Sequence, residues 1–165
     1  IKGSEAPKKR VPLDLDKIIS QDCVVDDLKA TTHEAAIREL VQALARSGRL
    51  LDIDLCQRDV LAREAVVHTC IAGGIALPHA RTNGVSELVT AIGISRNGCD
   101  TPGDNGPKTR IFVLSLCPKF AEGPYLQFVA HVASVLGNEK NVQALSASPE
   151  IEDIRAVFLS KLKKG

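Results

Sequence analysis

Residues 70–77 read CIAGGIAL, a continuous apolar run that a Pro-His dipeptide closes. A run of this length between turn-forming residues is typical of a buried strand, although its two glycines lower the strand propensity. Residues 88–95 and 110–117 give two further strand candidates. The segment RNGCDTPGDNGPKT at 96–109 separates them and is crowded with Gly, Pro, Asn and Asp, which predicts a loop.

Two helices are predicted before this strand-rich centre. The run TTHE at residues 31–34 matches a capping box with Thr31 as the cap, so a helix should begin there and end near residues 47–48. A second helix covers about residues 54–67, and residues 23–25 read as a short strand.

Three more helices are predicted after the strands. They cover about residues 123–136 and 139–145, and the last one starts at Ser148 with Pro149 in its first turn. The order of helices, then strands, then helices predicts an α/β fold of the layered α+β kind. We therefore expect a small mixed β-sheet flanked by helices on both faces.

Length and composition fit one domain. A chain of 165 residues can bury a core without disulfides or metal. The formal net charge of +1 argues against a dedicated nucleic-acid binder, and an aromatic content of 3% argues against base-stacking platforms. Residues 1–11 and 163–165 read as tails, which leaves residues 12–162 as the domain.

The cysteines and the apolar runs indicate a cytoplasmic protein. No apolar run approaches the roughly 18–20 residues of a membrane helix, and residues 1–11 lack a signal-peptide pattern, so no direct membrane insertion is expected. The chain opens with Ile1 and contains no Met, which suggests a processed piece or one domain of something longer. Its cysteines are odd in number and form no CxxC, which predicts reduced, buried thiols. They are Cys23, Cys56, Cys70, Cys99 and Cys117.

Among the four histidines, His79 is the candidate reactive group. It follows Pro78 at the end of the predicted buried strand, and small residues near it leave room for a ligand. Rigid scaffolds often present catalytic groups in this way, although the pattern taken alone favours a structural histidine. His33, in its capping turn, and His131, on a polar helical stripe, are expected to face water.

Arg63 is the second candidate. It shares one helical stripe with Cys56, Val60 and Val67, so its side chain should point inward. A charge there is costly unless it is paired or lines a cavity. The stripe is compatible with a stem that packs while its head reaches water, and with a guanidinium that clamps an anion such as phosphate.

The run REAVVHTCIAGGIALPHAR at residues 63–81 resembles the active-site segment of fructose/mannitol-type enzyme IIA domains of the bacterial sugar phosphotransferase system, a group that includes nitrogen-regulatory relatives. The family pattern has an acidic or amide residue, a Gly-rich stretch and an aliphatic-Ala-aliphatic-Pro-His ending. In this chain the acidic residue is Glu64, the Gly-rich stretch is residues 73–74, and the ending is residues 75–79. The resemblance extends in outline from about residue 13 to residue 162.

The resemblance implies a phosphohistidine carrier, a component of a phosphotransferase. His79 would accept a phosphoryl group from the phosphocarrier HPr, or from its nitrogen-branch counterpart, and pass it to an enzyme IIB partner. Arg63 would stabilise the transferred charge. Supporting contacts to the phosphate would come from Thr69, Arg81, Tyr125, Gly74 and Ala80. No cofactor or metal is implied, and the chain contains no GxxxxGK[ST] nucleotide-binding motif.

Three positions depart from the family pattern. Tyr125 stands where many members carry a second active-site histidine, and Gly73 and Ala80 replace Asn and Gly. Ala80 followed by Arg81 resembles divergent members fused to transporters or regulators. A regulatory module that senses or signals phosphorylation state without sugar uptake is therefore the alternative function.

Two alternatives come from other classes. One is a hydrolase that pairs a Ser or Cys nucleophile with His79, but the chain lacks a GxSxG elbow. The other is a metal site built from His68, Cys70 and His79, which the alternation of a strand would place on mixed faces.

Overall fold

The computed structural model of the chain describes residues 13–71, 73–103, 106–147 and 150–160, so both predicted tails lie outside the described residues. The strands are β1 Val24–Val25, β2 Cys70–Ile71, β3 Ile75–Ala76, β4 His79–Arg81, β5 Val89–Cys99 and β6 Thr109–Cys117. The helices are α1 Leu15–Ile18, α2 His33–Arg46, α3 Ile53–Val66, α4 Glu122–Leu136, α5 Glu139–Ser146 and α6 Ile151–Leu159.

The strands form one mixed sheet around the long hairpin of β5 and β6. These two strands pair antiparallel, β1 adds to β5 in parallel, and both β3 and β4 run parallel to β6. The short β2 pairs antiparallel with β3 at the sheet edge. The predicted mixed sheet is confirmed.

Alternating side chains of the central strands divide the core into two layers. Along β6, Ile111 and Val113 pack in one apolar cluster with α4, α5 and α6. Phe112 and Leu114 pack in the other cluster with α2 and α3. Because successive strand residues face opposite sides of a sheet, this alternation buries both faces. The prediction of helices on both faces is therefore confirmed.

The apolar run at residues 70–77 is not the single strand that its sequence predicts. Gly73 and Gly74 adopt φ values of 91° and 75°, which turn the chain back so that β2 and β3 form a hairpin. A Cβ on Gly74 would lie 2.9 Å from the Lys108 carbonyl oxygen, so the glycine also allows close backbone approach. As a result, His79 begins a new strand, β4, rather than ending an old one.

Element boundaries differ from prediction at three places. Strand β5 continues to Cys99 through an irregular register after Ile94, so the start of the predicted loop is strand. Helix α2 is capped by Thr32, not Thr31, because the Thr32 hydroxyl accepts the Ala35 N–H. Helix α6 is capped by Glu150; the predicted start at residues 148–149 lies outside the described residues. None of the helices that the structure describes is long and apolar enough to span a membrane.

Candidate functional site

His79 opens strand β4, where it pairs in parallel with Ser115 of β6. Its Nδ1 atom lies 2.8 Å from the Leu77 carbonyl oxygen. A carbonyl oxygen only accepts hydrogen bonds, so Nδ1 carries the ring proton and Nε2 keeps its lone pair. The backbone two residues upstream therefore fixes both the tautomer and the ring orientation. In the neutral ring, Nε2 is therefore the nitrogen that can accept a bond.

A cleft of about 250 Å³ opens beside His79. The described residues that line it are Arg63, His79, Ala80, Arg81, Tyr125 and Leu126. The cleft thus brings together five of the residues that the sequence singles out, from α3, β4 and α4. Leu126, which is exposed on α4, is the lining residue that sequence reasoning missed.

The cleft is basic. Arg63 and Arg81 are exposed, and none of the described residues that line the cleft is acidic. The Arg63 guanidinium donates a hydrogen bond to the Val67 carbonyl, 3.1 Å away, which holds it at the end of α3. Guanidinium groups bind phosphate oxygens in a planar, often bidentate geometry. The arrangement can hold a phosphoryl group next to an unprotonated imidazole nitrogen.

Tyr125 forms the inner wall of the cleft. Its ring centroid lies 5.6 Å from that of His79, with the rings tilted by 38°. Burial raises the pKa of Tyr125 and the nearby Cys117 adds to this, while Arg63 and Arg81 oppose it only in part. The phenol therefore stays neutral at physiological pH, and its hydroxyl group is available as a donor.

The structure places Thr69 and Gly74, two of the predicted supporting residues, outside the cleft. The Thr69 hydroxyl donates to Glu64 Oε1 at 2.6 Å, so its one proton is committed away from His79. The Gly74 carbonyl accepts the N–H groups of Arg110 and Ile111, which joins β3 to β6. Both residues stabilise the scaffold, and neither lines the His79 cleft.

The other histidines also differ from expectation. His33 is only 6% exposed, because it begins α2 against Phe112 and its Nε2 lies 2.8 Å from Glu64 Oε2. His131 is half-buried, with Nε2 2.6 Å from the Phe158 carbonyl oxygen of α6. The imagined metal trio is not assembled: His68 and Cys70 share a different cavity from His79.

Glu64 is a buried carboxylate in the middle of the His33 contact. Burial by itself would raise the pKa of Glu64, but hydrogen bonds from His33 and Thr69 outweigh it and lower the pKa below its usual value of 4.5. Glu64 is therefore ionised at neutral pH and acts only as an acceptor. In the sequence, Glu64 is marked only as the acidic residue of the family pattern, and its contacts to His33 and Thr69 were not predicted.

A family model described as "Phosphoenolpyruvate-dependent sugar phosphotransferase system, EIIA 2" matches residues 17–161. The chain belongs to this EIIA family. The resemblance of residues 63–81 to enzyme IIA domains is thereby confirmed.

Individual relatives agree with this assignment. The fructose-specific EIIABC component of Bacillus subtilis is 26% identical over 135 residues, which cover 81% of this chain and 21% of that protein. The chain thus spans about a fifth of that multidomain relative. The nitrogen regulatory protein IIA-Ntr from Neisseria meningitidis has a similar structure, with a TM-score of 0.79, 22% identity, and 87% and 98% of the two chains covered. A chain in the complex of enzyme IIAMTL and phosphorylated enzyme IIBMTL from Escherichia coli is also similar, with a TM-score of 0.72 and 16% identity. The match covers 83% of this chain and 94% of that one. These likenesses confirm the fold.

Proposed function

We propose that this chain is a phosphoryl-carrier domain of a sugar phosphotransferase system, with His79 Nε2 as the phosphoryl acceptor. The observation that carries the proposal is the hydrogen bond between His79 Nδ1 and the Leu77 carbonyl, which makes Nε2 the lone-pair nitrogen of the neutral ring, beside a basic cleft. The membership of the EIIA family supports the same reaction.

The transfer step needs little from the protein beyond positioning and charge stabilisation. The Nε2 lone pair of His79 attacks the phosphorus of a phosphorylated donor protein. A P–N bond forms on Nε2 while the bond from phosphorus to the donor's leaving group breaks. Arg63 and Arg81 stabilise the negative charge on the phosphoryl oxygens, and the Tyr125 hydroxyl group donates to one of them. Ala80 leaves space beside the imidazole, so the phosphoryl group can approach.

The rim of the cleft suits a protein partner. Leu126 of α4 is 57% exposed, and Phe120, in the loop that leads into α4, is 84% exposed. Exposed apolar side chains beside a charged cleft are typical of a docking surface.

We propose phospho-HPr, or its nitrogen-branch counterpart, as the donor, and enzyme IIB or a fused transporter or regulator as the acceptor. The fused EIIABC relative and the complex with phosphorylated IIBMTL support this choice of acceptor. We place the exchange in the cytoplasm, in keeping with five cysteines that all remain thiols.

Incubation with phosphoenolpyruvate, enzyme I and HPr tests the proposal. We expect an acid-labile, alkali-stable phosphate on the chain, absent from His79→Ala and retained in His68→Ala, which removes an exposed imidazole outside the cleft. Folding of both variants is checked by circular dichroism. A folded wild-type chain that takes no label from HPr or from its nitrogen-branch counterpart would refute the carrier function.

A regulatory module is the second candidate, and Tyr125 is the observation that favours it. A neutral phenol beside His79 cannot carry the positive charge of an imidazolium, so it stabilises a departing phosphoryl group less. The similarity to IIA-Ntr points the same way. A chain that is phosphorylated on His79 but does not pass its phosphate to IIB proteins would support this candidate.

A further inference from the structure

A second cluster of reactive side chains lies where the start of α2, the end of α3 and β2 meet. His33 Nε2 is 2.8 Å from Glu64 Oε2, and His33 Nδ1 is 3.7 Å from the Cys70 sulfur. A thiol, an imidazole and a carboxylate thus stand in the order of nucleophile, base and orienting acid. None of these three groups lines the His79 cleft.

The protonation states follow from the contacts. Glu64 is an ionised acceptor, so His33 donates to it from Nε2, and Nδ1 is the ring nitrogen that faces Cys70. In the neutral ring, Nδ1 accepts a hydrogen bond from the Cys70 thiol. Burial raises the pKa of Cys70 and Glu64 adds to this, while the Thr109 hydroxyl opposes it. The resting group is therefore a neutral thiol next to its base, not a free thiolate.

Cys70 is open to small molecules. It lies on the edge strand β2, is half-buried, and borders a cavity of about 220 Å³. Thr101 and Thr109 also line this cavity, and Thr109 Oγ1 lies 4.0 Å from the Cys70 sulfur. The other four cysteines are at most 2% exposed. A small polar reagent can reach Cys70 and not the rest.

We propose that Cys70 is a modification site for hydroperoxides, with His33 as its general base and Glu64 as the residue that positions His33. The sulfur attacks one peroxide oxygen while its proton passes to His33 Nδ1. An S–O bond forms and the O–O bond breaks, which oxidises Cys70 to a sulfenic acid and reduces the peroxide. The leaving hydroxide, or the alkoxide from an organic hydroperoxide, takes the proton from His33 and departs as water or an alcohol, so the base is restored.

The test is treatment of the full 165-residue chain with hydrogen peroxide in the presence of a 1,3-dione that traps sulfenic acids, followed by peptide mass spectrometry. We expect the trapped adduct on Cys70 well before it appears on any of the four buried cysteines. Unfolding in urea should abolish this selectivity, because it exposes all five thiols and separates Cys70 from His33.

Two variants separate base assistance from exposure. In His33→Gln, an amide can still donate to Glu64, but no base faces the sulfur, so the rate at Cys70 should fall about 10-fold or more. In His131→Gln, the same change at a histidine bonded to Phe158, the rate should not change. If His33→Gln fails to fold, Glu64→Gln serves instead, because it weakens the stabilisation of the protonated imidazole. Equal labelling of all five cysteines, or a rate unaffected by the loss of the base, overturns the proposal.

Discussion

Arg63 and Glu64 are neighbours on α3 but serve two different environments. The Arg63 guanidinium lines the basic cleft beside His79, whereas the Glu64 carboxylate is buried between His33 and Thr69. The Thr69 N–H also donates to Glu64 Oε2, at 3.2 Å, so the carboxylate fixes the chain where it leaves α3 for β2. The hydrogen bonds of Glu64 to His33 and Thr69, which we call the buried clamp, therefore set the position of the end of α3, from which Arg63 reaches the cleft.

Replacement of Arg63 by Ala should slow phosphorylation of His79 without unfolding the domain. One charged donor to the phosphoryl oxygens is lost, which lowers the rate roughly 100-fold. The free energy of unfolding should change by only about 0.5 kcal/mol, because Arg63 is exposed. Rapid-quench phosphorylation and urea unfolding measure the two effects. Arg58→Ala, an exposed arginine of the same helix outside the cleft, is the control. An unchanged rate in Arg63→Ala would mean that the residue only packs.

We expect Glu64 to make the free energy of unfolding depend on pH in the acidic range. Its pKa is below 4.5 in the folded chain, so its contribution is fully present above about pH 4.5 and is lost as the pH falls through the folded pKa. Glu64→Gln should cost about 1–3 kcal/mol at pH 7 and less at pH 3. Urea unfolding at several pH values measures this.

Glu87→Gln is the matched control for this effect. Glu87 pairs with Lys17 at the surface, at 3.0 Å, and both side chains are largely exposed. Exposed pairs contribute about 0–1 kcal/mol, so the stability of this variant should follow the wild type closely across the pH range. If the free energy of unfolding of Glu64→Gln follows the wild type across the pH range as that of Glu87→Gln does, the Glu64 contacts do not stabilise the fold.

The layered fold was predictable because periodicity reports burial directly. The paired strands of residues 89–99 and 109–117 alternate between two apolar clusters, and such runs are visible in the sequence. The turn inside residues 70–77 was not predictable from hydrophobicity, since a hairpin and a single strand present the same apolar letters. Positive φ at Gly73 and Gly74 decides between them, and composition does not reveal φ.

Gly74→Ala tests that turn. The new methyl group would be strained at φ 75° and would lie 2.9 Å from the Lys108 carbonyl oxygen. We expect the free energy of unfolding to fall by more than the roughly 1–2 kcal/mol that a left-handed backbone alone costs a non-glycine residue. Gly48→Ala, at φ 76° with nothing within 4 Å, should show only that backbone cost. Urea unfolding compares the two variants.

The same variant tests whether Gly74 contacts phosphate. Because Gly74 lies outside the cleft, the folded fraction of Gly74→Ala should still be phosphorylated at the wild-type rate. A selective loss of phosphorylation would support the predicted contact between Gly74 and the phosphate.

The site divides in the same way. The resemblance to enzyme IIA domains was enough to group five residues that line one cleft, namely His79, Arg63, Arg81, Ala80 and Tyr125. The helical stripe was wrong for Arg63, whose side chain is exposed rather than turned inward. The partners of Glu64 could not, since His33 lies 31 positions away and meets it only when α2 packs against α3. Thr69 looked like a phosphate ligand because it lies near the motif, but its contact to Glu64 is a property of the fold.

We expect Tyr125 to control how fast the domain transfers its phosphoryl group. Tyr125→Phe keeps the ring beside His79 and removes one donor, so phosphorylation should slow by about 2- to 10-fold, the value of one neutral hydrogen bond. Tyr125→His supplies a group that can become positively charged, and transfer from His79 to a IIB protein should become faster relative to the wild type. Single-turnover transfer from the isolated phosphorylated chain measures this step. Leu126→Ala, a neighbouring change without a polar group, separates loss of the hydroxyl from loss of apolar surface at the rim. If Tyr125→Phe is phosphorylated and discharged at wild-type rates, the phenol takes no part in the transfer and acts as a packing residue.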